Sequence, residues 1–281
     1  MYDILRHSMG KEAYFISGFS SKHIGDDGAV IGNQVYSKDL FCEDIHFKRT
    51  WMSLENIAQK SMLVNISDAI AMNAKPSMAM IGIVIPKTFT LHQLNELSLG
   101  FERVARQYGV DIIGGDTTSG KKLMISVSII SSVKKPIYRK NAKMGDLIAY
   151  TGNLGKSKAG LTRLLRGGKV GQTSRFITPI LKDKFFYKAS KYVHAGLDIS
   201  DGLSKDLSRL CEASGKVGVN FFKKIDKKVL CSGEEYEMLF TFSPRHKAII
   251  QKIAQQTRTK VTIFGKLIRK RYRCVCKENH F

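Results

Sequence analysis

Several features that would define other classes of protein are missing from this chain. Its longest apolar stretch, residues 78–85, ends at Pro86 and is far shorter than the roughly 20 residues that cross a bilayer. The N-terminus shows neither a basic leader nor an apolar segment, so no signal peptide is expected. Five cysteines occur without a Cys-x-x-Cys pair, which indicates neither a zinc site nor a disulfide framework. These absences predict a reducing, cytoplasmic setting and no association with a membrane.

Acidic residues are also scarce. The chain has 24 Asp plus Glu against 46 Lys plus Arg, and its formal net charge is +22. Such a balance raises nucleic-acid binding as a hypothesis, but most lysines are scattered in pairs and the one dense basic run is 269–273. Two interpretations stay open: a solvated basic surface that attracts small anionic substrates, or contact with a polyanion.

The length and composition favour a globular protein of two domains. The chain has 281 residues, of which 43% are hydrophobic and 25% charged, enough for a sizeable core. Strand and helix patterns alternate along it, which predicts an α/β fold. The pattern breaks at Lys134-Lys135-Pro136, so we predict an N-terminal α/β domain over 1–140 and a C-terminal α/β domain over 141–281.

Helix and strand boundaries are predicted from caps and periodicity. Ser53 is expected to begin one helix, and Thr90 a second helix that ends at Gly109. A strand over 110–113 is predicted to end where Gly114-Gly115-Asp116 begins. In the second half, strands are predicted at 147–150, 197–199, 238–242 and 261–264, and a loop over 167–175.

Aspartates carry most of the chemical information. Most of the relevant ones occur in short segments of Gly, Ser, Thr or Asn, where open backbone, carboxylates and hydroxyls suit a hard cation such as Mg²⁺. They are Asp26, Asp27, Asp39, Asp68, Asp116, Asp198 and Asp201. Asn65 and Asp68 lie three residues apart and should share one helix face. Any single aspartate could simply cap a helix or form a turn, but together they predict a Mg²⁺–phosphate enzyme.

Transfer between two phosphate groups explains the need for several carboxylates. One pair of unit charges about 4 Å apart repels by roughly 4 kcal/mol at an effective dielectric of 20, and metals held by aspartates from different segments remove that repulsion. A phosphate acceptor is already largely ionised near pH 7, so no strong general base is required. The sequence agrees, since it has no evident Ser-His-Asp or Cys-His arrangement.

Two further segments have less specific patterns. Residues 152–157 resemble a phosphate-binding P-loop, but the required first glycine is replaced by Tyr150. We therefore expect a tight strand-to-helix turn there. The acidic segment 231–237 could contact a cationic ligand or form a solvated turn, and the sequence leaves both open.

Seven motifs in order along the chain resemble those of the thiamine-monophosphate kinase family. This family belongs to the superfamily of aminoimidazole ribonucleotide synthetase, selenophosphate synthetase and the hydrogenase-maturation ATPases. The resemblance runs from Gly25 to about Phe242. The motifs are Gly25-Asp26-Asp27, Asp39 followed by His46-Phe47, Val64–Met72, Gly114–Thr118, Thr151–Gly155, Asp198–Leu203 and Gly233–Glu237.

The resemblance implies ATP-dependent phosphorylation of thiamine monophosphate to thiamine diphosphate by direct transfer, with several Mg²⁺ ions. In fold it implies a two-domain α/β protein of the aminoimidazole ribonucleotide synthetase type, in which the N-terminal domain, 1–140, would bind ATP and Mg²⁺. The N-terminal sheet would pair across a homodimer, and the site would lie in the cleft between the domains.

Site residues follow from the resemblance position by position. The implied metal ligands are Asp27, Ser37, Asp39, Asp68, Asp116, Asp198 and Asp201. The implied nucleotide contacts are Tyr108, Gly115, Asp116, Arg139 and Ser200. His46 and Glu234 would contact the thiamine phosphate, and Phe281 is a candidate for an aromatic that closes over it. Simpler roles compete: Tyr108 could be core, Arg139 a surface residue and His46 a packed imidazole.

One departure from the family pattern concerns Lys38, which stands where the family usually has Thr. A cationic side chain cannot ligate Mg²⁺, so one metal position would be lost, filled by a backbone carbonyl, or replaced by the ammonium group. Another ATP-using enzyme of the superfamily is the alternative function. A selenophosphate synthetase would need a reactive cysteine in a Gly-rich N-terminal loop, and no cysteine precedes Cys42.

Overall fold

The computed structural model describes residues 11–276, which form two five-stranded sheets with helices packed against them. The first sheet has the order β1-β2-β5-β3-β4, in which only β3 and β4 run parallel. Its strands are β1 (Ala29–Ile31), β2 (Gln34–Cys42), β3 (Lys75–Pro86), β4 (Asp111–Gly120) and β5 (Met124–Ser132).

The second sheet is antiparallel and has the order β7-β9-β6-β10-β8. Its strands are β6 (Leu147–Thr151), β7 (Val193–Asp198), β8 (Gly218–Phe221), β9 (Met238–Phe242) and β10 (Val261–Ile268). The predicted domain boundary near residue 140 falls between the two sheets. The α/β fold class predicted from the sequence is confirmed.

Eight α-helices lie within the described residues. They are α1 (Lys11–Ile16), α2 (Leu54–Ala71), α3 (Leu91–Tyr108), α4 (Lys156–Leu165), α5 (Asp183–Ala189), α6 (Leu203–Ala213), α7 (Lys227–Leu230) and α8 (Lys247–Gln256). Single 3₁₀ turns occur at Arg139–Asn141, Ser190–Tyr192 and Pro244–His246. None of the helices in 11–276 is long and apolar enough to cross a membrane.

The predicted helix ends are confirmed where capping chemistry is strong. The Ser53 side chain accepts a hydrogen bond from the Asn56 N–H at 3.2 Å, which caps α2. Thr90 and Gln93 form a reciprocal capping box at the start of α3. Gly109 ends α3 in the left-handed conformation, with φ 65°.

The predicted end of the strand at residue 113 is wrong, because β4 continues through the whole Gly114–Thr118 motif. The motif pairs with β3 along its length. A Cβ on Gly115 would lie 1.8 Å from the Ile81 carbonyl oxygen, so only glycine allows the two backbones to approach this closely. The glycines that suggested an open loop are therefore strand residues.

Helix α2 packs on one side of the first sheet and α3 packs against α2, while no helix of residues 11–276 covers the opposite, open face. The buried side of α2 includes Ile57, Met62 and Ile66, which belong to a core cluster that extends to Phe240 in the second sheet. The two sheets therefore share one continuous core. Residues at the junction of the two sheets are therefore supported by this core.

A disulfide joins Cys231 to Cys276, contrary to the expectation that no disulfide framework exists. The two cysteines are 45 residues apart, and sequence spacing alone does not reveal such a pairing. Cys42, Cys211 and Cys274 are free thiols. The bond attaches the segment after β10 to the loop that precedes β9.

Candidate active site

Three aspartates from distant parts of the chain meet at the junction of the two sheets. Asp27 precedes β1, Asp68 lies near the end of α2 and Asp198 is the last residue of β7. Each offers a carboxylate oxygen, and these oxygens lie within 4.8 Å of one another. A group of three carboxylates at this separation suits a divalent cation.

A fourth carboxyl, that of Asp39 on β2, lies close enough to this group to interact with the charge of Asp27. Burial, and then the charge of Asp27, raise the pKa of Asp39 to about 6. Burial also raises the pKa of Asp68, and the charges of Asp39 and Asp198 add to the rise. The pKa of Asp198 rises for the same reasons, burial first and the Asp27 charge second. We call these four residues (Asp27, Asp39, Asp68 and Asp198) the acidic cluster.

The hydrogen-bond partners of the acidic cluster leave at least one of its carboxylate oxygens available to a metal. Asp27 Oδ1 pairs with the Arg139 guanidinium, but Asp27 Oδ2 is buried and has no hydrogen-bond partner in the described part of the chain. Leaving a buried acceptor unsatisfied costs about 1–3 kcal/mol. Ser67 Oγ donates to Asp198 Oδ2 at 2.7 Å. A cluster of carboxylates with an orphaned oxygen fits Mg²⁺, which takes oxygen ligands.

Strand β2 places Ser37 and Asp39 on the side that faces α2. Ser37 is buried and donates to Asn65 Oδ1, while the Asn65 amide donates to the Val127 carbonyl at 2.5 Å. Within residues 11–276, β2 has no strand partner on its outer edge beyond residue 36, since β1 pairs only with Gln34–Tyr36. That free edge opens onto the cavity described below.

Lys38 points to the opposite face of the first sheet from Asp39. Successive side chains of a strand alternate between faces, and Lys38 Nζ donates to Ser126 Oγ at 2.7 Å and to Ser128 Oγ at 3.2 Å. Within one chain the ammonium group therefore does not enter the acidic cluster.

Asp116 also lies on that open face. The strand register aligns it with Gly82, Ser126 and then Leu40, so it is about 14 Å across the sheet from β2 at three strand spacings. Asp116 is exposed on the edge strand β4. A single chain does not bring it to the acidic cluster.

A cavity of about 560 Å³ opens beside the acidic cluster. Seven of the predicted residues line it: Asp39, His46, Asp68, Asp198, Ser200, Asp201 and Glu234. Another cavity, of about 580 Å³ beside α4, is lined by Lys158, Arg163, Arg166 and Lys228 but by no carboxylate. Although slightly larger, it lacks the metal-ligand chemistry, so the acidic cavity is the candidate active site. Gly115 and Tyr108 line neither, and Tyr108 packs half-buried against the core.

Neighbouring groups fix the predicted residues around the cavity. His46 Nδ1 accepts the Cys42 N–H at 3.0 Å, and its ring stacks on Phe41. Asp201 forms ion pairs with Arg209 at 2.6 Å and Lys205 at 3.3 Å. His46 is thus a packed imidazole that also lines the cavity, and its contact with the thiamine phosphate stays a prediction.

Arg139 is tied to the loop that precedes β1. Its backbone N–H donates to Asp26 Oδ1 at 2.6 Å, and its guanidinium pairs with Asp27. The guanidinium is only 18% exposed, so the surface role considered for Arg139 is wrong.

The acidic segment 231–237 is not a solvated turn. Glu235 Oε1 accepts the N–H groups of Gly155 at 2.7 Å and Ser157 at 3.2 Å, at the start of α4. Glu237 is buried and accepts from Thr151 Oγ1 at 2.7 Å. The Glu235 carboxylate therefore occupies N–H groups of the kind that a P-loop would offer to phosphate.

Three residues of the site were not predicted from the sequence. Tyr236 lines the cavity with a backbone φ of 50°. Asp206 Oδ2 accepts the N–H groups of Asp201 and Gly202, which orders the start of α6. Lys60 is fully buried and paired with Glu234; the available signal was that it is the only charged residue between Glu55 and Asp68. Phe281 lies outside the described residues.

Two sheets that share a core, with an acidic cavity at their junction, define the class of proteins related to AIR synthase. The family model "AIR synthase related protein, N-terminal domain" matches residues 25–133. A solved structure described as "AaThiL complexed with AMPPCP and TMP" superposes with a TM-score of 0.82 and 25% identity, covering 93% of this chain and 90% of that one.

Sequence comparison with curated proteins identifies one family within this class. The thiamine-monophosphate kinase of Nitrosopumilus maritimus (strain SCM1) is 33% identical over 76% of this chain and 75% of its own length. That of Buchnera aphidicola subsp. Schizaphis graminum (strain Sg) is 34% identical over 87% and 84%. The chain belongs to the thiamine-monophosphate kinase family.

Proposed function

We propose that this protein catalyses the ATP-dependent phosphorylation of thiamine monophosphate to thiamine diphosphate. The observation that carries the proposal is the acidic cluster, three of whose four carboxyls line a cavity, in a chain related over most of its length to thiamine-monophosphate kinases. Four carboxyls gathered in a buried place are costly unless cations neutralise them. A reaction between two phosphates supplies the reason to hold such cations.

The acidic cluster would hold Mg²⁺, and Ser37 and Asp201 would complete its surroundings. When bound, several Mg²⁺ ions would neutralise the two phosphate groups for a direct in-line transfer. The protein's own groups prepare the ligands: Arg139 orients Asp27, and Ser67 orients Asp198. Because the acceptor phosphate is largely ionised near pH 7, no residue is assigned as a general base.

Three residues of the cavity wall, Ser200, His46 and Glu234, and Arg139 beside Asp27 would bind the two substrates. Ser200 and Arg139 are proposed to contact ATP, and His46 and Glu234 to contact thiamine monophosphate. A carboxylate at position 234 complements the positive charge of the thiazolium ring. Its position in the cavity wall supports this assignment.

We also propose that the protein is a homodimer formed through the first sheet. The open face of that sheet exposes Tyr36, Met80 and Met124 at 38%, 45% and 41%, an apolar surface of the kind that a partner covers. Tyr108, Gly115 and Asp116 lie apart from the acidic cluster, which supports a role for them only in the dimer. Light scattering should give twice the chain mass of 31.5 kDa; a monomer would contradict the dimer.

The test of the proposed function is a direct assay. Purified protein with ATP, Mg²⁺ and thiamine monophosphate should form thiamine diphosphate, detected chromatographically. Replacing the acceptor by unphosphorylated thiamine, or adding excess EDTA, should abolish product formation. Absence of product from folded protein under the complete conditions would reject the proposal.

A further inference from the structure

Lys60 is a buried cation directly behind the wall of the active-site cavity. It lies in the middle of α2, and its side chain has 0% exposure. Withdrawing an ammonium group from water costs several kcal/mol unless other groups compensate. Burial accordingly lowers the pKa of Lys60, and the charge of Glu234 opposes this change.

Two kinds of partner compensate the buried charge. Lys60 Nζ lies 3.3 Å from Glu234 Oε2. The same atom lies 4.0 Å from the ring centroid of Phe176 and 5.6 Å from that of Phe41, within the range of cation–π attraction. The two rings lie next to the ammonium group, which is itself shielded from solvent.

Glu234 connects this pair to the cavity. Its side chain is 23% exposed and lines the cavity, whereas Lys60 is not among the lining residues. The backbone of Glu234 has φ 55°, an uncommon conformation for a residue with a side chain. Its N–H donates to the Ser200 carbonyl at 2.7 Å. Backbone and side chain are thus both held, the first by Ser200 and the second by Lys60.

Helix α2 links Glu234 to the acidic cluster. Lys60 and Asp68 are eight residues apart on this helix, a separation of about 12 Å along its axis. One rigid element therefore sets the distance between the carboxylate at position 234 and the metal-binding carboxylates. A substrate with a phosphate at one end and a cationic ring toward the other needs such a fixed spacing.

We propose that Lys60 is a positioning residue that holds the Glu234 carboxylate in place for the cationic part of the acceptor substrate. The proposal rests on the proposed function. Methionine would fill the space next to the two rings without the cost of a buried charge. Packing alone therefore does not require an ammonium group here, and we assign its role to the contact with Glu234. Its effect should therefore fall on acceptor affinity and not on the phosphoryl-transfer step.

A double-mutant cycle tests the proposal, with KM for thiamine monophosphate and kcat measured for the wild type, Lys60→Met, Glu234→Gln and the double variant. Lys60→Met should raise KM by roughly 10–100-fold, with kcat within about threefold of wild type. Glu234→Gln should do the same. The KM of the double variant should be no higher than that of the single variant with the higher KM, since both substitutions remove the same interaction. Lys252→Met, an exposed lysine on α8, is the matched control and should leave both constants unchanged.

Several outcomes would overturn the role of Lys60. They are single effects that multiply in the double variant, a fall in kcat at constant KM, or an unchanged KM in Lys60→Met. If Lys60→Met fails to fold, the double variant, which buries neither charge, is compared with Glu234→Gln, and equal KM values are expected. A wild-type protein that does not phosphorylate thiamine monophosphate would reject the proposed function itself, which separates the two failures.

Discussion

Asp68→Asn should reduce thiamine monophosphate phosphorylation by at least about 10²–10³-fold, the range found when one electrostatic stabiliser is removed from an active site. Asp68 faces the charges of Asp39 and Asp198 and lines the cavity. The amide has nearly the same shape but lacks the negative charge that holds a divalent cation. Product formation should therefore fail while the fold persists.

The same substitution should not lower the stability of the metal-free protein. Removing one charge from a group of like charges relieves repulsion, worth on the order of 1 kcal/mol or more, so the Tm in EDTA should stay level or rise. Asp111→Asn, at an exposed carboxyl on β4, is the matched control and should change neither rate nor Tm. A near-normal rate in folded Asp68→Asn would remove this residue from the site.

The metal-free protein should lose stability as the pH rises from about 4 to 6. The pKa of Asp39 is about 6 in the folded protein, against an ordinary value of 3.8. Between these values the folded state binds more protons than the unfolded state, so the free energy of unfolding falls with rising pH. The contribution of Asp39 is present below pH 4 and lost above pH 6, and amounts to about 1–3 kcal/mol after allowance for solvent screening.

Denaturant unfolding in EDTA across pH 4–8 measures this effect. Subtracting the Asp39→Asn curve from the wild-type curve isolates the titration of Asp39, and Asp111→Asn again serves as the control. Mg²⁺ should stabilise the wild type more at pH 8 than at pH 5, because metal binding requires ionised carboxylates. A difference curve that is flat, or that rises with pH, would show that burial and the neighbouring carboxyls do not raise the pKa of Asp39.

Local signals predicted much of the fold and of the acidic cluster. Ser53, Thr90 and Gly109 act through short-range capping chemistry, so the ends of α2 and α3 follow from the sequence. Aspartates next to the ends of strands and helices indicated which carboxyls would converge, and Asp68 and Asp198 do so.

Features that depend on strand register or on distant contacts could not be predicted. The glycines before Asp116 suggested a loop, but they belong to an edge strand, and at Gly115 the backbone of the partner strand leaves no space for a side chain. The register, and not the motif, decides that Asp116 and Lys38 lie on the face opposite Asp39. The Cys231–Cys276 bond and the Lys60–Glu234 pair join segments that only the folded chain brings together.

The most direct test of the central claim is to count metal ions at the acidic cluster. Mn²⁺ can replace Mg²⁺ as a paramagnetic probe, because the paramagnetic resonance signal of free Mn²⁺ disappears when the ion binds to the protein. With a non-hydrolysable ATP analogue, the wild type and Asp111→Asn should bind more Mn²⁺ than the nucleotide alone does. Asp68→Asn should bind it at least about tenfold more weakly. Equal Mn²⁺ binding by all three proteins would contradict the assignment of the buried aspartates as a metal site for phosphoryl transfer.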